Sequence, residues 1–109
     1  GVNNYVDEIL KLEKLFSDGR TFFYNTFSHV DINLMCVFNR LIDLGLEETV
    51  SYKTPFITKY WGNLKSRKSY EDGILNYYTD KEYELLSEFY KNNNSSVLKA
   101  IIEEIDKRI

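Results

Sequence analysis

Apolar residues in this chain recur at helical spacing and almost nowhere alternate in the manner of a strand, so the pattern predicts helices. From Val2 to Ser17 the positions Val6, Ile9, Leu10, Leu12, Leu15 and Phe16 fall mostly on one face, and Asp18-Gly19 stops the run. Thr21 to Tyr24 is short and aromatic and reads as a packed connector. Between His29 and Leu44 the residues Ile32, Leu34, Met35, Val37, Phe38, Leu41, Ile42 and Leu44 cover far more than one stripe, the pattern of a helix buried on most sides. Asn33, Asn39, Arg40 and Asp43 are its polar exceptions, and Gly45 supplies the left-handed residue that ends it.

The start of that central helix is specified unusually heavily. Ser28 can accept a hydrogen bond from the Asp31 N–H while Asp31 reaches back to the Ser28 N–H, a capping box with Asp where Glu or Gln is commoner. Phe27 and Ile32 stand where a hydrophobic staple would join across it. Replacing Asp31 by Ala would then cost roughly 0.5–2 kcal/mol as a lost cap.

Further along, Thr54-Pro55 opens another helix, Thr as N-cap and Pro at the first helical position. Phe56, Ile57, Tyr60, Trp61 and Leu64 form its apolar face. Ser69 with Asp72, and Thr79 with Glu82, repeat the capping-box pattern ahead of two more helices. The first of these holds Ile74 and Leu75, the second Tyr83, Leu86, Phe89 and Tyr90. Asn92-Asn93-Asn94 reads as a break, after which Ser95 or Ser96 caps a last segment. There Leu98, Ile101, Ile102, Ile105 and Ile109 make an amphipathic stripe. The expectation is one all-α domain over residues 1–109, a bundle of five to six helices, with residues 78–109 its divergent C-terminal part.

Composition narrows the chemistry. The 109 residues hold nine Tyr and seven Phe but only one Pro and five Gly, so a folded helical core is favoured over disorder or a turn-rich sandwich. A net charge of −3 argues against a nucleic-acid footprint, and Lys65-Ser66-Arg67-Lys68, the one basic run, reads as a solvated helix end. The single Cys36 sits among Leu34, Met35, Val37 and Phe38 and reads as a small buried hydrophobe; it can form no internal disulfide. The single His29 is expected at the surface, so a His-based metal site or a Cys–His nucleophile has little material. No apolar run approaches the roughly 20 residues a membrane span needs. The chain opens on Gly1, without a signal-peptide pattern, and is read as a piece of something larger in an intracellular, cytoplasmic setting.

Taken in order, Phe27-Ser28-x-x-Asp31-Ile32, Arg40-Leu41, Leu44-Gly45, Lys53-x-Pro55-x-Ile57-x-x-Tyr60-Trp61, Leu64 and Arg67-x-Ser69-Tyr70 carry a resemblance. The stretch from Val6 to Tyr70 resembles the C-terminal helical domain of the glutathione transferase superfamily. Within it the pattern is most similar to the ganglioside-induced differentiation-associated protein branch. The resemblance implies that glutathione is held by a separate N-terminal thioredoxin-like domain, of which nothing here carries the βαβ pattern. Catalytic residues are therefore not expected in this chain, nor a cofactor or metal. The hydrophobic anchor expected of that branch, which would give mitochondrial outer-membrane association, has no counterpart in the polar tail from Tyr77 to Ile109.

The resemblance also implies that the helical domain supplies an apolar wall for an electrophilic second substrate, with Tyr5, Phe16 and Phe23 as candidates. Alternatively all three simply pack the core or a domain interface. The surplus of Tyr52, Tyr60, Trp61, Tyr70, Tyr77, Tyr78, Tyr83 and Tyr90 suits contacts with a thioredoxin-like domain, a protein partner or a second copy. Two functions follow. One is the substrate-side domain of a glutathione-transferase-like enzyme, inactive alone. The other is a non-catalytic interaction module of the same fold, serving for example mitochondrial dynamics or complex assembly. Ser28 and Asp31 would hold the fold in either case and touch no substrate.

Overall fold

The chain folds as helices, and no strand occurs among the described residues. A computed structural model describes residues 1–68, 70 and 80–109, the side chains of 80–93 excepted. Four α-helices lie in that part: α1 (Val2–Leu15), α2 (His29–Asp43), α3 (Pro55–Lys65) and α4 (Asp80–Arg108). Two 3-10 turns, Phe16–Asp18 and Glu47–Val50, extend α1 and connect α2 to α3. The short helix expected around Ile74 and Leu75, with its Ser69–Asp72 cap, lies outside the described residues, as does the Thr79 cap.

Helix α2 ends in a Schellman motif. Gly45 takes φ +74°, the Leu46 N–H donates to the Leu41 carbonyl at 2.7 Å, and the Gly45 N–H to that of Ile42 at 3.0 Å. Its sides depart from expectation. Met35, Phe38 and Leu41 are buried, but Ile32 and Val37 are 43% and 52% exposed, and Cys36 is exposed with them. The helix therefore has one buried and one open face, and the apolar residues on the open face made it look buried throughout. Cys36 is an accessible thiol, not a core residue.

The main core forms where α1, α2 and α3 meet, around Ile9, Phe16, Met35, Phe38, Ile57, Tyr60, Trp61 and Leu64. Phe16 stacks on Tyr60 with ring centroids 4.0 Å apart, and Phe38, Trp61 and Tyr70 continue edge-to-face. A smaller cluster of Val6, Ile101 and Ile105 joins α1 to the end of α4. Charged groups pin the same end: Lys53 pairs with Asp106 at 2.8 Å, Tyr52 donates to Asp106 at 2.9 Å, and Arg108 pairs with Asp7.

Two further expectations are corrected. Helix α4 runs unbroken for 29 residues through Asn92-Asn93-Asn94, so Ser95 and Ser96 sit inside it and cap nothing. Asn disfavours a helix interior by less than about 1 kcal/mol each, and packing of Ile101 and Ile105 on Val6 offsets that. Asn94 also has a use there, donating its amide to the Leu44 carbonyl at 2.9 Å. Thr54 holds the N-cap position of α3 but does not cap it. Its buried hydroxyl donates to the Val50 carbonyl at 2.8 Å, and the first-turn N–H groups of Phe56 and Ile57 are taken by Glu13 of α1.

Among the described residues no helix is long and apolar enough to cross a membrane.

Candidate functional site

Asp31 bonds to three other parts of the chain, and it organises the region in which the candidate residues lie. The Ser28–Asp31 pair forms the reciprocal capping box at the start of α2, with the Ser28 N–H donating to Asp31 Oδ2 at 3.0 Å. The other oxygen reaches further. Oδ1 accepts the Phe23 N–H at 2.9 Å and also the Tyr60 hydroxyl of α3 in a short hydrogen bond. A fully buried carboxylate thus ties the connector, the start of α2 and the middle of α3 together. Burial, and then the neighbouring Asp31, push the Tyr60 hydroxyl well above the ordinary tyrosine range, so it stays protonated and donates.

Phe27 packs against the connector. Its ring meets Phe22 edge-to-face at 5.7 Å, and the Arg67 guanidinium lies 3.8 Å from its centroid. Ile32, its expected staple partner, is 43% exposed. Arg67, expected as part of a solvated run, is half-buried against these two rings, with its Nε shielded from water and without a hydrogen-bond partner.

The three candidate wall residues stand in different environments. Phe16 is 1% exposed, between Tyr60 and the edge of Phe23 at 6.2 Å, and is a core residue in this conformation. Tyr5 is half-buried and bonds Thr49 Oγ1 at 2.7 Å. Because the Thr49 hydroxyl donates to the Leu46 carbonyl at 2.7 Å, the Tyr5 hydroxyl is the donor of that pair. Burial raises its pKa despite that bond, so Tyr5 is poorly placed to deliver a phenolate. Phe23 borders open space. It lines a depression of about 260 Å³ with Asp18, Arg20, Tyr24 and Asn25.

A second, wider depression of about 520 Å³ lies between Lys11, Lys14, Leu15, Ser17, Asp18 and Arg20, so the Asp18–Arg20 pair borders both. Arg20 is fully engaged. Its Nε and Nη2 donate to the Asp18 carboxylate at 2.7–3.1 Å, and its Nη1 donates to the Phe23 carbonyl at 2.8 Å. The hydrogen bonds from Arg20 hold Asp18 below the usual carboxylate range, and Asp18 in turn raises Arg20. From sequence Asp18 was read only as part of the helix stop, and Arg20 was not singled out. Their signal was a charged pair flanking Gly19, whose φ of +77° turns the chain sharply enough for Arg20 to fold back on Asp18.

The depression sets the aromatic rings of Phe23 and Tyr24 beside the polar Asp18, Arg20 and Asn25. These groups contain no paired nucleophile and base, and among the described residues no three His, Cys, Asp or Glu side chains converge as metal ligands. No protein-family model, curated protein or solved structure matches this chain.

Proposed function

We propose that this chain is a helical domain of the glutathione transferase C-terminal type, carrying the apolar-substrate side of a site whose glutathione half lies in a separate thioredoxin-like domain. The supporting observation is the Asp31 arrangement. The capping box that anchors the sequence resemblance also fixes the connector through Phe23 and reaches α3 through Tyr60. Phe23 and Tyr24 are the wall residues with open space before them, while Phe16 backs Phe23 from the core. Thiol activation is assigned to the other domain, and the Tyr5 and Tyr60 hydroxyls are committed donors to Thr49 and Asp31.

Residue-resolved NMR titration of the chain with 1-chloro-2,4-dinitrobenzene tests this reading, alongside a conjugation assay with added glutathione. Shifts centred on Phe23 and Tyr24 without turnover are expected. Shifts confined to other surfaces, or conjugation by the chain alone, would contradict it.

A second reading, a non-catalytic interaction module, is favoured by a different observation. Ile32, Cys36 and Val37 form an exposed apolar strip on α2, away from the Phe23 depression. On that reading Val37→Lys abolishes association with the partner while binding beside Phe23 is unaffected.

A further inference from the structure

Residues 20–27 make no backbone–backbone hydrogen bond among the described residues, so side chains alone hold this stretch in place. Its base is closed by the edge-to-face pair of Phe22 and Phe27, both under the Arg67 guanidinium. Between them Tyr24, Asn25 and Thr26 are exposed, and Phe23 is half-buried. Among the described residues the tip is tied down at Phe23. Its N–H is held by Asp31 at 2.9 Å and its carbonyl by Arg20 at 2.8 Å, while its ring rests edge-on against Phe16.

We infer that residues 23–26 form a small lid, hinged at the Phe22–Phe27 pair and latched by Arg20, whose local opening uncovers the edge of Phe16. The two latches are unequal. Asp31 is buried and has three other hydrogen-bond donors to satisfy it, so it stays in place when Phe23 leaves. Arg20 is accessible and remains paired with Asp18 when it releases the Phe23 carbonyl, so letting go exposes no uncompensated charge. Lifting the tip moves one partly buried ring and leaves α1, α2 and α3 packed, which is what makes an opening local rather than global. The lid's motion does not depend on whether the domain serves an enzyme. If it does, opening would add the uncovered edge of Phe16 to the apolar surface offered there.

Residue-resolved native-state hydrogen exchange tests the lid, with the Phe23 amide as reporter and the Met35 and Phe38 amides of α2 as controls. In the unmodified chain the Phe23 amide should exchange faster than the controls and depend less on added denaturant. Arg20→Ala should speed Phe23 exchange by about tenfold or more, the loss expected for a charged donor's bond, while the controls hold. Arg20→Lys, which keeps the charge opposite Asp18 but lacks the spanning guanidinium, should fall between, and it decides the matter by the same criterion should the Ala variant fail to fold. The inference is overturned if Phe23 exchanges in step with the controls, if the Arg20 substitutions leave it unchanged, or if they accelerate all three amides equally.

Discussion

The Glu13 carboxylate on α1 accepts the Ile57 N–H of α3 at 2.8 Å, and its second oxygen accepts the Phe56 N–H at 3.1 Å. A side chain 44 residues earlier in the chain therefore caps α3, at the positive end of that helix's dipole. Glu13→Ala should destabilise the fold by about 1–2 kcal/mol in chemical denaturation, and Glu13→Gln, which keeps one acceptor, by roughly half as much. Equal stability of the Ala variant and the parent would remove Glu13 from this role.

Asp43 is 3% exposed, and its Oδ1 has no hydrogen-bond partner. Burial raises its pKa above 3.8, only partly opposed by Arg40. A raised folded-state pKa means the carboxyl favours folding when protonated; that contribution is whole below the unfolded pKa and is lost as pH rises through the folded one. Asp43→Asn should accordingly gain about 1 kcal/mol at pH 7, a few degrees in Tm, with the gain shrinking toward pH 3. A variant less stable than the parent at pH 7 would refute this.

The tie between α4 and the rest of the fold should have the opposite sign. Lys53 and then Tyr52 hold Asp106 below the usual carboxylate range, so its contribution is present above the unfolded pKa and lost as pH falls through the folded one. Below pH 3.8, the ordinary value, amide exchange at Ile105 should rise ahead of that at Phe38. Asp106→Asn should abolish this pH dependence. A profile identical in the variant would show that other groups carry it.

Cys36 should react with a maleimide in the native protein at close to the rate of a free thiol, since the side chain lies on the open face of α2. Labelling that requires denaturant would return Cys36 to the core.

What could be read from sequence divides along physical lines. The start of α2, its glycine stop and the proline at the head of α3 rest on neighbouring residues, and local rules capture them, whereas the cap of α3 comes from Glu13 and they miss it. Cys36 and Val37 were misjudged because hydrophobicity reports what can be buried, not whether another element arrives to bury it. The Asn92–Asn94 break was read from propensity, which yielded to packing of Ile101 and Ile105 on α1. Glu13 and Arg20 escaped notice, and Tyr60 was read only as an apolar-face and contact residue, because each acts on a group brought near by the fold. Asp31 was read as a cap worth roughly 0.5–2 kcal/mol. Its long-range bonds to Phe23 and Tyr60 make it much more than that.

A double-mutant cycle joining Asp31→Asn and Tyr60→Phe, measured by equilibrium denaturation, tests most directly whether Asp31 is the hub of this domain. Each single change should cost more than about 1.5 kcal/mol, and the two should be coupled by about 1–2 kcal/mol, because each removes a partner of the same buried bond. Additivity within about 0.5 kcal/mol would mean that Asp31 caps α2 alone and does not hold α3 to it.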